Sequence, residues 1–424
     1  MLRNNLVWNV LWLSLLQGAN FVAPLIALPY LVRVLGATEY GLYIFATVII
    51  SYFGLVCDYG FNLTGTRDIS VHKNNKYQTR RIVSKIFIIK TGALLLAIFT
   101  FFTLSIFLQH IQDNLLLYTC AFSLLLGQTY FPSWFFQGIE DFKFIAILNC
   151  ISRIIFTLFI FIIVKEPGDG YLAALMNSIG TLLVTILALA VMKFKHKVTL
   201  VKINLKTVWK YAAESFFVFL AQMKISLFSS VNILILGLIS GPTAVGYFSV
   251  SEKLMRAMAQ IQIPLVGALY PKMAHDLVLN REKSIRLIKK ILLGGTIFYI
   301  LTCGIVFFIS EPLIELLFGS DFGPSVIALQ IILVCPLLIF QNNIFGTQLL
   351  LNLGKEKTYF AVVSATGILN IVAVTVLTEM YGFIGTSISL LIAEVCVAAG
   401  MFYFAKDYLF NQKKLNNEPT RVNQ

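Results

Sequence analysis

Apolar stretches of about 20 residues recur along the whole chain, separated by short polar gaps. They lie near 6–28, 40–60, 84–108, 114–136, 142–164 and 171–192, and again near 211–239, 244–270, 291–309, 325–353, 359–379 and 382–405. About 20 residues of helix, rising 1.5 Å each, cross a hydrocarbon core of about 30 Å. The pattern therefore predicts an all-α integral membrane protein with about 12 transmembrane helices. The gaps are too short to hold a separate extramembrane domain.

Charge fixes the orientation of these spans. Twenty-six of the 33 Lys and Arg residues fall in every second gap. The gap at 61–85 holds Arg67, Lys73, Lys76, Arg80, Arg81 and Lys85, and similar runs occupy 193–210 and 271–290. Only Arg33 and Lys165 fall in the alternate gaps, where the acids Glu39, Asp113, Glu166, Asp169, Glu311, Glu315, Asp321 and Glu379 gather. Basic residues stay on the cytoplasmic side of a membrane, so both termini are expected in the cytoplasm. The net charge of +13 is thereby explained by topology and anionic lipid, and nucleic acid is not an expected partner. At 58% hydrophobic and 12% charged residues the composition excludes an ordinary soluble domain.

The chain also echoes itself. Gly36-Ala37-Thr38-Glu39-Tyr40-Gly41 after the first span matches Gly241-Pro242-Thr243-Ala244-Val245-Gly246 after the seventh, 205 residues later. A second echo aligns Gly138, Glu140 and Phe144 with Gly354, Glu356 and Phe360, at an offset of 216. Six spans per copy make these parallel repeats: two six-helix bundles related by a pseudo-two-fold axis along the membrane normal. The expected lobes are 1–205 and 206–405, followed by a cytoplasmic tail at 406–424.

Five cations lie inside spans: Lys90, Arg153, Lys224, Lys253 and Arg256. A central cation costs about 2.5–3.5 kcal/mol on the insertion scale. Lys90 is close enough to its span end to snorkel to the cytoplasmic surface. The other four lie deeper, against only two comparably deep acids, Glu252 and Glu394. One reading makes Glu252–Arg256 an i,i+4 structural pair and lets Lys253 snorkel. The favoured reading is a hydrated cavity with excess positive charge, in which Arg153, Lys224, Lys253 and Arg256 bind an anionic cargo. Glu252, Lys253, Arg256 and Gln260 share one helical face. Glu394 either partners a cation from another helix or binds a coupling cation. Asp58 and Glu214, near cytoplasmic span ends, are local pairs, caps or gates. Gln341, Asn342 and Asn343 interrupt the tenth span after Pro336, where helix packing accounts for one or two amides and a cavity lining for the third.

No nucleotide-binding loop, nucleophile elbow or zinc-protease motif is present. The six cysteines are dispersed in apolar surroundings and the four histidines lie far apart, so neither a disulfide framework nor a metal site is expected. Asn62-Leu63-Thr64 fits a glycosylation sequon only by chance, because it falls on the expected cytoplasmic side.

Three strings carry a family resemblance. Pro29-Tyr30-Leu31-Val32-Arg33-Val34-Leu35-Gly36 with Tyr40-Gly41, Asp58-Tyr59-Gly60-Phe61-Asn62 with Thr66-Arg67, and Trp134-Phe135-Phe136-Gln137-Gly138-Ile139-Glu140 resemble the polysaccharide transporter family, most closely its O-antigen flippases. These belong to the multidrug/oligosaccharidyl-lipid/polysaccharide exporter superfamily. The resemblance implies a V-shaped, alternating-access transporter in the bacterial inner membrane. It implies a cargo of short glycan on undecaprenyl pyrophosphate, an ion gradient or membrane potential as drive, and no cofactor. Glycan polymerase and chain-length machinery are the implied partners besides lipid. Arg33, Asp58 and Arg67 match recurrent charged positions of its motifs. A drug or cation antiporter of the same superfamily is the first rival, although deep acids would then be expected to outnumber deep bases. A glycan polymerase or ligase is disfavoured by the absence of a large outer loop, and a scaffold would not need central cations.

Overall fold

The computed structural model describes the backbone of residues 2–279 and 281–410 and the side chains of 26–410 apart from 221, 224–229, 268, 271–272, 275–276 and 278–280. The described residues contain helices and no strands. In chain order these are α1 (Leu2–Asp58), α2 (Phe61–His72), α3 (Lys76–Phe107), α4 (Gln109–Asp113), α5 (Leu115–Tyr130), α6 (Ser133–Gly138), α7 (Phe142–Ile163) and α8 (Gly170–Phe194). There follow α9 (Leu205–Gln260), α10 (Ile263–Leu279), α11 (Arg281–Phe308), α12 (Ser310–Phe318), α13 (Ser325–Ile332), α14 (Cys335–Asn342), a π-helix at Asn343–Leu351, and α15 (Glu356–Phe410). Nine helical stretches among the described residues are long and apolar enough to cross a membrane, so the chain is a multi-pass membrane protein.

Three helices exceed any bilayer. A continuous helix of 57 residues would reach roughly 85 Å. Each is broken by one glycine between apolar spans: Gly36 in α1, Gly241 in α9 and Gly382 in α15. Gly36 (φ 70°, ψ 176°) and Gly241 (φ 80°, ψ −179°) adopt one backbone conformation. A side chain at positive φ is strained, which is why the first sequence echo centres on glycine. The second echo shifts register. After α6, Glu140 (φ 65°) donates its N–H to the Gln137 carbonyl, and Asp141 to that of Phe136. After the π-helix, Gly354 (φ 73°) donates to Leu351, and Lys355 to Leu350. Both are Schellman caps. Glu140 is thus the counterpart of Gly354, and the offset is 214 rather than 216.

The chain separates into two compact units, Met1–Ser230 and Val231–Gln424. In the first, α5 lies along α8 and α1 along α7. Trp134, Phe135 and Phe136 are almost wholly buried and form an aromatic core with Phe61, Val83, Ile86 and Ala188. The first turns of α9 join this unit: Tyr211 stacks on Phe61 (5.9 Å between centroids) and Phe219 on Tyr59 (4.9 Å). Residues up to Ser230 therefore pack with the first unit, although the sequence groups them with the second lobe. In the second unit, α15 packs against α13, α14 and the π-helix.

Candidate functional site

Four helices of the first unit turn polar residues toward one another at helical spacing. α1 supplies Thr47, Ser51 and Asp58, with Gly54 among them; α7 supplies Asn149, Ser152 and Arg153; α8 supplies Asn177 and Thr181; α5 supplies Gln128. Spacings of three and four residues put each set on one helix face. Together they line a cavity of about 560 Å³. Such groups do not face lipid at no cost, so a hydrated interior is what accommodates them.

Arg153 is the cation of this cavity, set mid-way along α7 and partly buried. Among the described residues no carboxylate lies within salt-bridge distance of it. Its electrostatic neighbour is Tyr43 of α1. Arg153 makes no side-chain hydrogen bond among the described residues, so its donors are available to whatever enters.

At the far end the chain breaks at Tyr59 (φ 49°) and Gly60 (φ 74°). Asp58 and Asn62 on either side of the break both face the cavity. Lys90 Nζ lies 3.2 Å from Asp58 Oδ1, Asn62 Nδ2 donates to the same oxygen (2.9 Å), and Ser133 Oγ donates to Asn62 Oδ1 (2.6 Å). The Lys90 side chain is only 3% exposed. The snorkelling expected of Lys90 does not occur, because a carboxylate within reach compensates its charge inside the protein. Asp58 is a local pair and a cavity wall at once. With Asp58 neutralised by Lys90, Arg153 leaves the cavity with an unspent positive charge.

The other family-motif charges stand apart from this cavity. Arg67 is 71% exposed and pairs with its neighbour Asp68 (2.9 Å). Arg33 is exposed just before the Gly36 break. Glu214 is exposed on the first turns of α9, in the electrostatic neighbourhood of Lys85 and Tyr211.

In the second unit, Arg256 closes on Glu252 through Nε (2.9 Å) and Nη2 (2.6 Å), both to Oε1. This is the i,i+4 pair that the sequence offered as one reading of the face. Arg256 is 45% exposed and Glu252 8%. Lys253 is partly buried beside them. Glu394 of α15 accepts from Asn342 Nδ2 (3.1 Å) and senses the Arg256 charge. One guanidinium is thus shared electrostatically by two acids. Asn343 donates to Gln262 Oε1 (3.0 Å) and opens the π-helix, so the three-amide interruption marks a widened turn. Gln341 is partly buried there, and the Oε1 of Gln260 and Oδ1 of Asn342 are buried with no partner among the described residues. The Lys224 side chain lies outside the described residues. No group of three metal-binding side chains occurs among the described residues.

Sequence reading missed Gln128, Asn149, Ser152, Asn177, Thr47 and Ser51. The signal was present: Asn149, Ser152 and Arg153 stand at i, i+3 and i+4 within an otherwise apolar span.

Comparison with known proteins agrees with the fold and the motifs. Residues 6–275 match the family model described as "Polysaccharide biosynthesis protein". The chain is 30% identical over 404 residues to the "Putative O-antigen transporter" of Escherichia coli (strain K12), covering 94% of this chain and 96% of that one. It is 26% identical over 402 residues to a protein of the same name from Shigella dysenteriae, covering 94% and 99%. Among solved structures it is similar to "Lipid II flippase MurJ, inward closed conformation", with a TM-score of 0.72 and 15% identity over 93% of this chain and 89% of that one. A multidrug resistance MATE family transporter of the MOP superfamily in an inward-facing conformation gives 0.71 at 15% identity, over 92% and 96%. The chain belongs to the polysaccharide biosynthesis protein family, and its fold is the one shared by these MATE transporter and MurJ structures.

Proposed function

We propose that this protein is a flippase for lipid-linked oligosaccharide, carrying an O-antigen repeat unit on undecaprenyl pyrophosphate from the cytoplasmic to the periplasmic leaflet of the inner membrane. The observation that carries the reading is Arg153, a cation without a carboxylate partner among the described residues, in a cavity of hydrogen-bonding side chains within the spans. A bare glycan pyrophosphate in hydrocarbon would strand its polar groups. A hydrated, positively charged cavity removes that barrier, while the polyprenyl tail stays in lipid.

Alternating access moves the cargo. With the outside positive, each negative charge carried outward gains about 2.3 kcal/mol per 100 mV, so the potential assists the step. Lys253 adds positive charge in the second unit. Arg256, held by Glu252, serves that face as half of a pair. Glu394, beside a shared guanidinium and the Asn342 amide, is the residue for ion coupling. By the distribution of basic gaps the Gly60 end of the cavity and both termini face the cytoplasm. Glycan polymerase and chain-length machinery would receive the product.

The rival is a drug or cation antiporter, which the fold shared with a multidrug transporter keeps in view. Its cargo would need an unspent acid in the cavity, and Asp58 is committed to Lys90 and Asn62. The test is complementation of a flippase-deletion strain. Arg153→Gln should abolish surface glycan and trap lipid-linked repeat units on the cytoplasmic side at normal protein level. Normal export by that variant would overturn the reading.

A further inference from the structure

The cavity of the first unit carries more than a charge. An anion alone would be served by cations and backbone N–H groups. Here Arg153 stands among amides and hydroxyls, each able to donate and accept. A sugar hydroxyl has the same double character.

Several of these groups have hydrogen-bonding capacity left over. Gln128 and Ser152 make no side-chain hydrogen bond among the described residues. Asn149 spends its Nδ2 on the Ile145 carbonyl (3.1 Å), and its Oδ1 has no partner among the described residues. Gln128 lies over Gly54, where a Cβ would come within 3.2 Å of its Oε1. Gly54 therefore leaves the carboxamide its room. Phe131 and Leu55 add apolar wall, the surface that the C–H face of a pyranose covers. The volume, about 560 Å³, falls within the range of small-molecule sites, roughly 300–1,000 Å³.

We infer that this cavity is a glycosyl-phosphate subsite: Arg153 holds the phosphoryl group, while Gln128, Ser152 and Asn149 hydrogen-bond the hydroxyls of the sugar ring attached to it. The inference rests on the flippase reading and adds to it. The first unit alone reads the sugar nearest the phosphate, and Gln128 and Ser152 set its specificity. Gln128 is exposed and Asn149 and Ser152 are half-buried, so a ring lacking matched hydroxyls forfeits their hydrogen bonds and binds less tightly.

The test uses purified full-length protein and soluble probes: the 1-phosphates of glucose, galactose and N-acetylglucosamine, set against inorganic phosphate, with binding followed by saturation-transfer NMR. At least one sugar phosphate should bind ten-fold or more tightly than phosphate. Gln128→Leu with Ser152→Ala should bring that ratio near one while leaving phosphate binding in place. Arg153→Gln should weaken both probes ten-fold or more. The inference falls when no sugar phosphate outbinds phosphate in the parent protein, a comparison that needs no variant. It also falls when the Gln128→Leu, Ser152→Ala protein keeps the ratio. If it falls while Arg153→Gln still abolishes glycan export, the flippase reading stands without the sugar subsite. Normal export in Arg153→Gln removes the flippase reading itself.

Discussion

Lys90 and Asp58 form a buried ion pair: Nζ stands 3.2 Å from Oδ1, and the lysine side chain is 3% exposed. Removing one partner of such a pair strands the other's charge, at about 3–5 kcal/mol for a fully buried pair. Asp58 is 26% exposed, so the lower end applies. Lys90→Met should cost about 3 kcal/mol in thermal unfolding of the purified protein. Adding Asp58→Asn should recover most of that loss. A single variant as stable as the parent would show that the pair carries no structural weight.

The Glu252–Arg256 pair separates a structural role from a cargo role. Glu252 is 8% exposed, so Arg256→Ala leaves a nearly buried carboxylate and should destabilise by about 3 kcal/mol. Glu252→Gln with Arg256→Gln should restore stability and keep substantial glycan export. Loss of export from a stable double variant would return Arg256 to the cargo-binding set.

Glu140 occupies a position that its counterpart fills with glycine. A non-glycine residue in the left-handed region costs roughly 1–2 kcal/mol. The exposed Lys73–Glu140 pair (2.9 Å) returns at most about 1 kcal/mol. Glu140→Gly should therefore be neutral to about 1 kcal/mol stabilising, whereas Gly354→Glu should lose about 1–2 kcal/mol. Melting temperatures of the two variants check the sign.

His196 follows α8 and lies edge-on to Phe135 and Phe136, with Nε2 buried and without a partner among the described residues. Burial first, and the Lys195 charge second, hold its imidazole below the ordinary range, against the pull of Asp141. A depressed folded value means that the unfolded chain takes up the proton more readily. The contribution is present above about pH 6.5 and lost as pH falls toward the folded value. Thermal stability should drop between pH 7.5 and 5.5, and His196→Phe should flatten that drop. An equal drop in both proteins would place the effect elsewhere.

Much of the fold was legible in the sequence because lipid permits few backbone solutions. Each polar backbone group must be paired within its own segment, so a 20-residue apolar run can only be a helix. The Gly36–Gly241 echo was legible for a similar reason, since one backbone conformation demands one residue type. The second echo was misaligned by two residues because Glu140 takes a left-handed position without being glycine, and identity matching follows glycine.

The site was only half legible. Arg153 stood out by its insertion cost, and the Glu252–Arg256 pair by its spacing. Sequence determined that cations lie within the spans, because composition and period fix depth and helix face. Which of them is neutralised was decided by packing between helices far apart in the chain. Lys90 meets Asp58 across 32 residues, so its charge is cancelled. Arg153 lines a cavity with Asn177, Gln128 and Ser51 and meets no carboxylate among the described residues, so its charge is kept. Distance between side chains sets electrostatic energy, and only the tertiary structure sets those distances.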